Sequence, residues 1–237
     1  MSIHTGPCQY CSHNLCAAKV PIFHGLDDDE LRKIIALTGH RTYSKGETLV
    51  FEGMSSETLY LINEGRIKLF KTNAQGKVQI LHILGDGDFF GELNVFGEGR
   101  DTNYGAVAVT RVKVCSLSRE QMTQVMREHP GIAVKLVGAL SQRVAETENL
   151  AQNLSSGDAE SRTAFVLMEL AEEYGKETGE GLRIDLPLSR EELAAYAGLT
   201  RETLTRRLMV FEQEGLLRFP ASKQILLLDA AGLADRL

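Results

Sequence analysis

The residues best suited to chemistry are four cysteines, Cys8, Cys11, Cys16 and Cys115, which are all the cysteines in the chain. Three are crowded into the first sixteen residues as C-x2-C-x4-C, and the fourth lies far downstream. Four thiolates are the set that a tetrahedral zinc ion or a cubane iron–sulfur cluster requires. The same thiols also offer metal-free chemistry, a dithiol closing to a disulfide, Cys8 with Cys11 or with Cys115. The histidines (His4, His13, His24, His40, His82, His129) show no ligand spacing and read as ordinary surface or core residues. A cupin-like catalytic metal needs clustered His and Glu on strands, which His82 and Glu92 alone do not supply. With neither a phosphate-binding loop nor a nucleophile elbow, the chain is expected not to be an enzyme.

The elements that must hold these thiols follow from the pattern. The 237 residues are 43% hydrophobic and 24% charged, ordinary for a globular protein. No apolar run is long enough for a transmembrane helix, and the N-terminus MSIHTGPCQYC lacks the basic and apolar regions of a secretory signal. A cytoplasmic protein without membrane contact is therefore expected, in a compartment where clustered thiols bind metal more often than they form structural disulfides. Residues 1–18 have little to build a core and read as a cysteine-rich tail.

Residues 19–129 carry short apolar stretches between turn glycines: Thr48–Phe51, Leu59–Ile62, Ile67–Phe70, Val78–Leu81 and Val107–Val109. That rhythm predicts an antiparallel barrel or roll, preceded by a short helix from Asp27 to Thr38. Residues 119–126 look helical, and a long helix follows Pro130, giving a 130–156 segment. In it Val137, Leu140, Val144, Thr147, Ala151 and Leu154 follow a 3-4-3-4-3 spacing, a heptad seam for pairing with a second copy. Its polar positions, among them Arg143, Glu146 and Glu148, read as a solvated face.

Residues 157–237 begin at a Ser-Ser-Gly-Asp break and continue with a helix over 159–174. Ser189 and Glu192 then form a capping box, Gly198 ends a first short helix, and Thr200 caps a second. Leu204, Leu208 and Phe211 face inward, while Arg201, Glu202, Thr205 and Arg206 occupy the exposed first turns. A recognition helix presents such side chains to the major groove, Arg to guanine and Glu to cytosine. Phe219 to Asp229 reads as a β wing. From Glu160 onward there are 10 Lys+Arg against 14 Asp+Glu, so DNA binding would rest on this local cluster and on dimerisation rather than on bulk charge. A thiolate site joined to a DNA reader points to a redox- or gas-sensing regulator.

Taken together, these motifs resemble the CRP/FNR family of bacterial transcription regulators, and within it the FNR-type oxygen sensors. The match spans tail, β-roll, long helix and helix-turn-helix. Gly85-Asp86-Gly87-Asp88-Phe89-Phe90-Gly91-Glu92-Leu93 is similar to the family's sensor-domain motif, and Glu202-Thr203-Leu204-Thr205-Arg206 to its E-x-x-S-R recognition pattern, with Thr for Ser. The resemblance implies an α+β architecture: an N-terminal antiparallel β-roll of cyclic-nucleotide-binding type, a long dimerisation helix and a C-terminal winged helix-turn-helix. It implies a [4Fe–4S] cluster on Cys8, Cys11, Cys16 and Cys115, a homodimer on a palindromic double-stranded DNA site, and RNA polymerase as a partner. Cluster loss in oxygen would release the tail and weaken the dimer. The C-x4-C spacing is one residue shorter than the commonest FNR spacing, and Arg201 before Glu202 is similar to the CRP-type pattern, leaving the half-site TTGA-like or TGTGA-like. Where CRP-type proteins place an Arg-Ser pair on the cyclic phosphate, this chain has Thr102 and Asn103, with Arg100 nearby.

Overall fold

In the computed structural model, residues 16–97, 101–156 and 158–237 are described. Cys8, Cys11 and Arg100, and with them three elements of the sequence reading, lie outside the described residues. The chain divides into two compact units, Met1–Lys71 with His82–Val144, and Thr72–Leu81 with Ala145–Leu237.

The first unit opens with two 3-10 turns, Cys16–Lys19 and Pro21–Phe23, followed by helix α1 (Asp28–Leu37). Asp27 caps α1 in a reciprocal box with Glu30, and three acidic residues fill its first turn, where the helix dipole favours them. Strands β1 (Gly39–Tyr43), β2 (Thr48–Val50), β3 (Thr58–Glu64), β4 (Ile67–Thr72), β5 (Val78–Leu84) and β6 (Phe89–Phe90) come next along the chain, with residues 78–81 of β5 assigned to the second unit. Then follow a one-turn helix α2 (Glu92–Phe96), strands β7 (Gly105–Ala108) and β8 (Val112–Ser118), and helix α3 (Arg119–Glu128). They form two antiparallel sheets, β1-β8-β3-β6 and β2-β7-β4-β5.

Strand β8 was not among the strands read from sequence, yet it is central to its sheet. It pairs with β1 on one side and β3 on the other. Alternation along a strand sends Val112 and Val114 to one face and Cys115 and Leu117 to the other, and all four are buried. On the second face Cys115, Leu117, Leu59 and Leu61 join a cluster with Ile22 and Phe23 of the 3-10 turns, Ile34 of α1, Met122 and Val125 of α3, and Ile132 and Leu136 beyond them. Strand β8 runs straight into α3, whose capping box pairs Ser118 with Gln121. Gly91 sits at φ +94°, where a Cβ would meet the Thr58 carbonyl, so this turn demands glycine.

Helix α4 (Gly131–Ser156) is the long helix expected after Pro130. The proposed seam does not lie on a single exposed face. Val137, Val144, Thr147 and Ala151 are exposed, but Leu140 packs on the cluster just described and Leu154 is half-buried. Val134, at 74% exposure the most open large apolar residue of the helix, was not assigned to the seam. An α-helix drifts about 20° per heptad, which turns one edge of a 3-4 stripe back toward its own chain.

In the second unit, α5 (Ala159–Tyr174) is N-capped by Asp158. A sheet of order β11-β12-β10-β9 contains β9 (Gly175–Thr178), β10 (Gly181–Asp185), β11 (Leu217–Ala221) and β12 (Gln224–Leu227). The expected wing is the β11–β12 hairpin; the other two strands were missed because Gly175–Thr178 is polar and mostly exposed. Helices α6 (Arg190–Tyr196), α7 (Arg201–Gln213) and α8 (Ala230–Ala234) complete the unit. No helix is long and apolar enough to cross a membrane among the described residues.

Candidate thiol site and nucleic-acid interface

Cys16 and Cys115, at opposite ends of the first unit's sequence, meet in space. Their sulfurs stand 3.4 Å apart, a thiol–thiol contact. Both residues are buried, at 5% and 3% exposure, and Ala17, Val20, Leu61, Ile62 and Asn63 line the pocket around them. Cys115 is held by two ladders; Cys16 is presented by a 3-10 turn anchored by buried Ala17 and Val20.

A third polar group joins them. His40 is the direct cross-strand partner of Cys115 in the β1–β8 ladder, so their side chains share a face. His40 Nδ1 lies 3.2 Å from Cys115 Sγ, and Nε2 lies 3.3 Å from Thr38 Oγ1. Thr38 donates its one hydroxyl proton to the Ile35 carbonyl at 2.8 Å, so its oxygen can only accept from His40. In the neutral ring Nε2 therefore carries the hydrogen, and Nδ1 presents its lone pair to the Cys115 S–H. Sequence reading set His40 aside as an ordinary histidine. The signal that finds it is the pairing of residues 39–43 with 112–116, which spacing along the chain does not reveal.

Soft thiolate donors fit a thiophilic metal. A zinc ion with Zn–S of about 2.3 Å spaces its sulfurs about 3.8 Å apart, within roughly half an ångström of the separation here. In a cubane cluster each thiolate binds its own iron, so Cys16 and Cys115 would have to stand wider apart. Among the described residues, no group of three or more His, Cys, Asp or Glu is arranged to hold a metal ion.

At the other end of the chain, α6 and α7 meet at Gly198, whose φ of +66° makes the turn and whose missing Cβ leaves room for the Leu154 side chain. The capping box of Ser189 and Glu192 starts α6, and Thr200 caps α7 by accepting from the Thr203 amide at 3.2 Å. Leu204, Leu208 and Phe211 are buried as expected from their spacing. Tyr196 donates to Glu169 at 2.8 Å; burial raises the affinity of both groups for their protons. On α7 Arg201, Glu202 and Arg206 are exposed, and Thr205 is half-buried with its hydroxyl on the Arg201 carbonyl. Arg201 and Arg206 form no ion pair among the described residues, whereas Arg207 pairs with Glu160 at 3.4 Å. The helix thus presents two unneutralised guanidinium groups and a carboxylate from its first turns, a surface able to read base edges.

Comparison with known proteins bears on both regions. Residues 40–129 match the model of the cyclic nucleotide-binding domain, and residues 161–236 that of the Crp-like helix-turn-helix domain. Over 219 residues the chain is 30% identical to a CRP-like cAMP-activated global transcriptional regulator of Mycobacterium tuberculosis, covering 92% of this chain and 97% of that one. The chain belongs to the CRP/FNR family. As a member it is a DNA-binding transcription regulator and not an enzyme. A cyclic AMP receptor protein of Thermus thermophilus is 32% identical over 198 residues, 84% of this chain and 88% of that one. The structure of FixK2 from Bradyrhizobium japonicum superposes with a TM-score of 0.74 at 25% identity, covering 84% of this chain and 96% of that one.

In this family member the sensor-motif segment is closed on itself. Glu92, at 4% exposure, pairs with Arg143 of α4 at 3.2 Å. Arg143 also donates to the Phe89 carbonyl at 2.9 Å and lies 5.1 Å from the Phe89 ring centroid. The sequence reading of Arg143 as a solvated residue is corrected here: the helix turns it toward the β-roll, where a buried carboxylate needs it. Burial, with the Arg143 charge adding, pushes His82 down to about 4, and burial lifts Asp88 above its ordinary range. Thr102, at the position of the family's phosphate-gripping arginine, is buried and spends its hydroxyl on the Phe51 carbonyl at 2.5 Å. An anionic phosphate there meets a neutral, already bonded hydroxyl in place of a cation, while Arg100 lies outside the described residues.

Proposed function

We propose that the chain is a redox-responsive transcription regulator that binds a palindromic double-stranded DNA site as a homodimer. Its signal enters through Cys8, Cys11, Cys16 and Cys115 as ligands of a [4Fe–4S] cluster. The observation that supports a thiol-based signal is the meeting of Cys16 and Cys115, distant in sequence, as a buried sulfur pair in the sensor unit; the cluster itself rests on the family resemblance of the four cysteines. Such a cluster, when bound, supplies sensitivity to oxygen through solvent access and hydrogen bonding at its sulfurs. The chain's own residues do the rest. Cys16 ties the start of the chain to β8, and β8 packs with Ile132 and Leu136 in one cluster. Holding or releasing Cys16 therefore bears on the first turns of α4. From there α4 exposes Val134, Val137 and Val144 to a second copy. A homodimer would offer one α7 helix to each half of a palindromic site.

The test is an anaerobic absorption spectrum with iron and sulfide assays, repeated after air, together with operator binding. A brown protein that bleaches in air and loses DNA affinity supports the reading. A Cys115→Ser protein that still binds its operator only without air overturns the four-ligand model. One observation favours a second reading: 3.4 Å suits two thiols on one zinc ion, or a dithiol, better than two corners of a cubane. A colourless protein with stoichiometric zinc would establish the former.

A further inference from the structure

Cys16 and Cys115 hold a relationship that metal ligation does not require: they face each other directly, with a histidine beside one of them. We propose that Cys16 and Cys115 form a peroxide-oxidised dithiol, with His40 as the residue that orients the Cys115 thiol. The proposal rests on the thiol-site reading above but not on any metal.

A disulfide needs its sulfurs about 2.05 Å apart, so the pair has about 1.4 Å to close, shared between two side chains. Ala17, Val20, Leu61 and Ile62 line the pocket around the two sulfurs with apolar side chains. His40 Nδ1 accepts from the Cys115 S–H, because the Thr38 hydroxyl, committed to Ile35, fixes the hydrogen on Nε2. Holding that hydrogen on the His40 side leaves sulfur lone pairs directed elsewhere, toward Cys16 among them.

Burial selects the oxidant. At 5% and 3% exposure the pair disfavours a bulky disulfide as oxidant, and hydrogen peroxide is the smallest candidate. One thiol sulfur attacks the O–O bond of hydrogen peroxide, giving a sulfenic acid and one water. The second thiol attacks the sulfenic sulfur and expels the hydroxyl as a second water. Two thiols lose two protons and two electrons, and one peroxide takes them up to give two waters. The disulfide then withdraws two of the four thiolates, so metal loading has to wait for reduction.

The experiment uses the reduced, metal-free full chain under argon, treated with stoichiometric hydrogen peroxide, alkylated, digested and mapped by mass spectrometry. The expected major product is the peptide pair linked through Cys16 and Cys115, in the wild type and in the Cys8→Ser, Cys11→Ser double variant. His40→Leu slows closure roughly tenfold, the effect of one lost hydrogen bond, and His40→Gln recovers part of the rate. In urea, where the fold no longer holds them together, the three rates converge. Cys8–Cys11 as the main link, or oxidation without any link, overturns the dithiol; equal rates for wild type and His40→Leu in the folded state remove His40 from it. Iron and sulfide reconstitution should fail on the linked protein and return after dithiothreitol. Because the mapping needs no metal, a linked but never iron-loaded protein would refute the cluster alone. A bleachable cluster without the link would refute only the present proposal.

Discussion

Replacing Arg143 with methionine strands the Glu92 carboxylate inside the β-roll. Glu92 is 4% exposed and its partner nitrogen lies 3.2 Å away. At an effective dielectric of about 20, that separation gives a gross attraction of about 5 kcal/mol, most of it spent on desolvating the two charges. Removing one member of a buried pair typically costs about 3–5 kcal/mol. The Arg143 side chain keeps 18% exposure, which places Arg143→Met near the lower end, about 3 kcal/mol. Glu92→Gln removes the charge from the buried side and leaves Arg143 its bond to the Phe89 carbonyl, so it should cost only about 1 kcal/mol. The double variant should resemble Arg143→Met with the charge penalty removed, giving a coupling of roughly 2 kcal/mol. The assay is urea unfolding of all four proteins, followed by a probe in the sensor unit; in a thermal scan Arg143→Met should melt roughly 10 °C lower. If Arg143→Met is no worse than Glu92→Gln, or if the two losses simply add, the ion pair does not organise this site.

Four further outcomes are expected. His82 titrates near 4 in the fold against about 6.5 unfolded, so between those values the unfolded chain binds the extra proton and stability falls as pH drops, by at most roughly 3 kcal/mol. His82→Gln should flatten that part of the acid-unfolding curve. Arg206→Ala should weaken operator binding by about 1–3 kcal/mol in fluorescence anisotropy without changing the melting temperature, while Arg207→Ala, which breaks the partly exposed pair with Glu160, should cost under about 1 kcal/mol of stability and leave base preference intact. Glutamate at both Val137 and Val144 should shift the protein to its 26.1 kDa monomer in sedimentation, because both side chains are exposed on α4. Added cyclic AMP should leave operator affinity unchanged, given a bonded threonine at position 102.

Sequence made the local devices legible. The capping box at Ser189 and the inward Leu204, Leu208 and Phe211 depend on residues within a few positions of each other. The helix-turn-helix could therefore be placed residue by residue. What escaped depends on distant pairing. Val112–Ser118 is buried on both faces and lacks the clean alternation that marks a half-solvated strand, so it passed as a connection. With β8 unseen, nothing could place His40 against Cys115, or Cys16 beneath it. Arg143 looked solvated because its partner, Glu92, lies on another element, and the seam on α4 looked continuous because a 3-4 rhythm does not say where a helix turns inward. The cysteine count drew attention to the thiols; the two-sided pairing of one strand decides which of them meet.

That strand makes the site unequally tolerant of insertion and deletion. Position 115 faces Cys16 only because the ladders with β1 and β3 fix its parity, and a shift of one residue sends every side chain of a strand to the opposite face. Losing a single residue between Val112 and Val114 while β8 kept its pairing from the β3 end would leave Cys115 in place; losing it while the pairing held from the β1 end would carry Cys115 into the roll interior and bring a serine to the tail. A descendant protein could in this way keep all four cysteines and the whole helix-turn-helix and yet lose the Cys16–Cys115 contact. Cysteine spacing alone would not distinguish the two proteins.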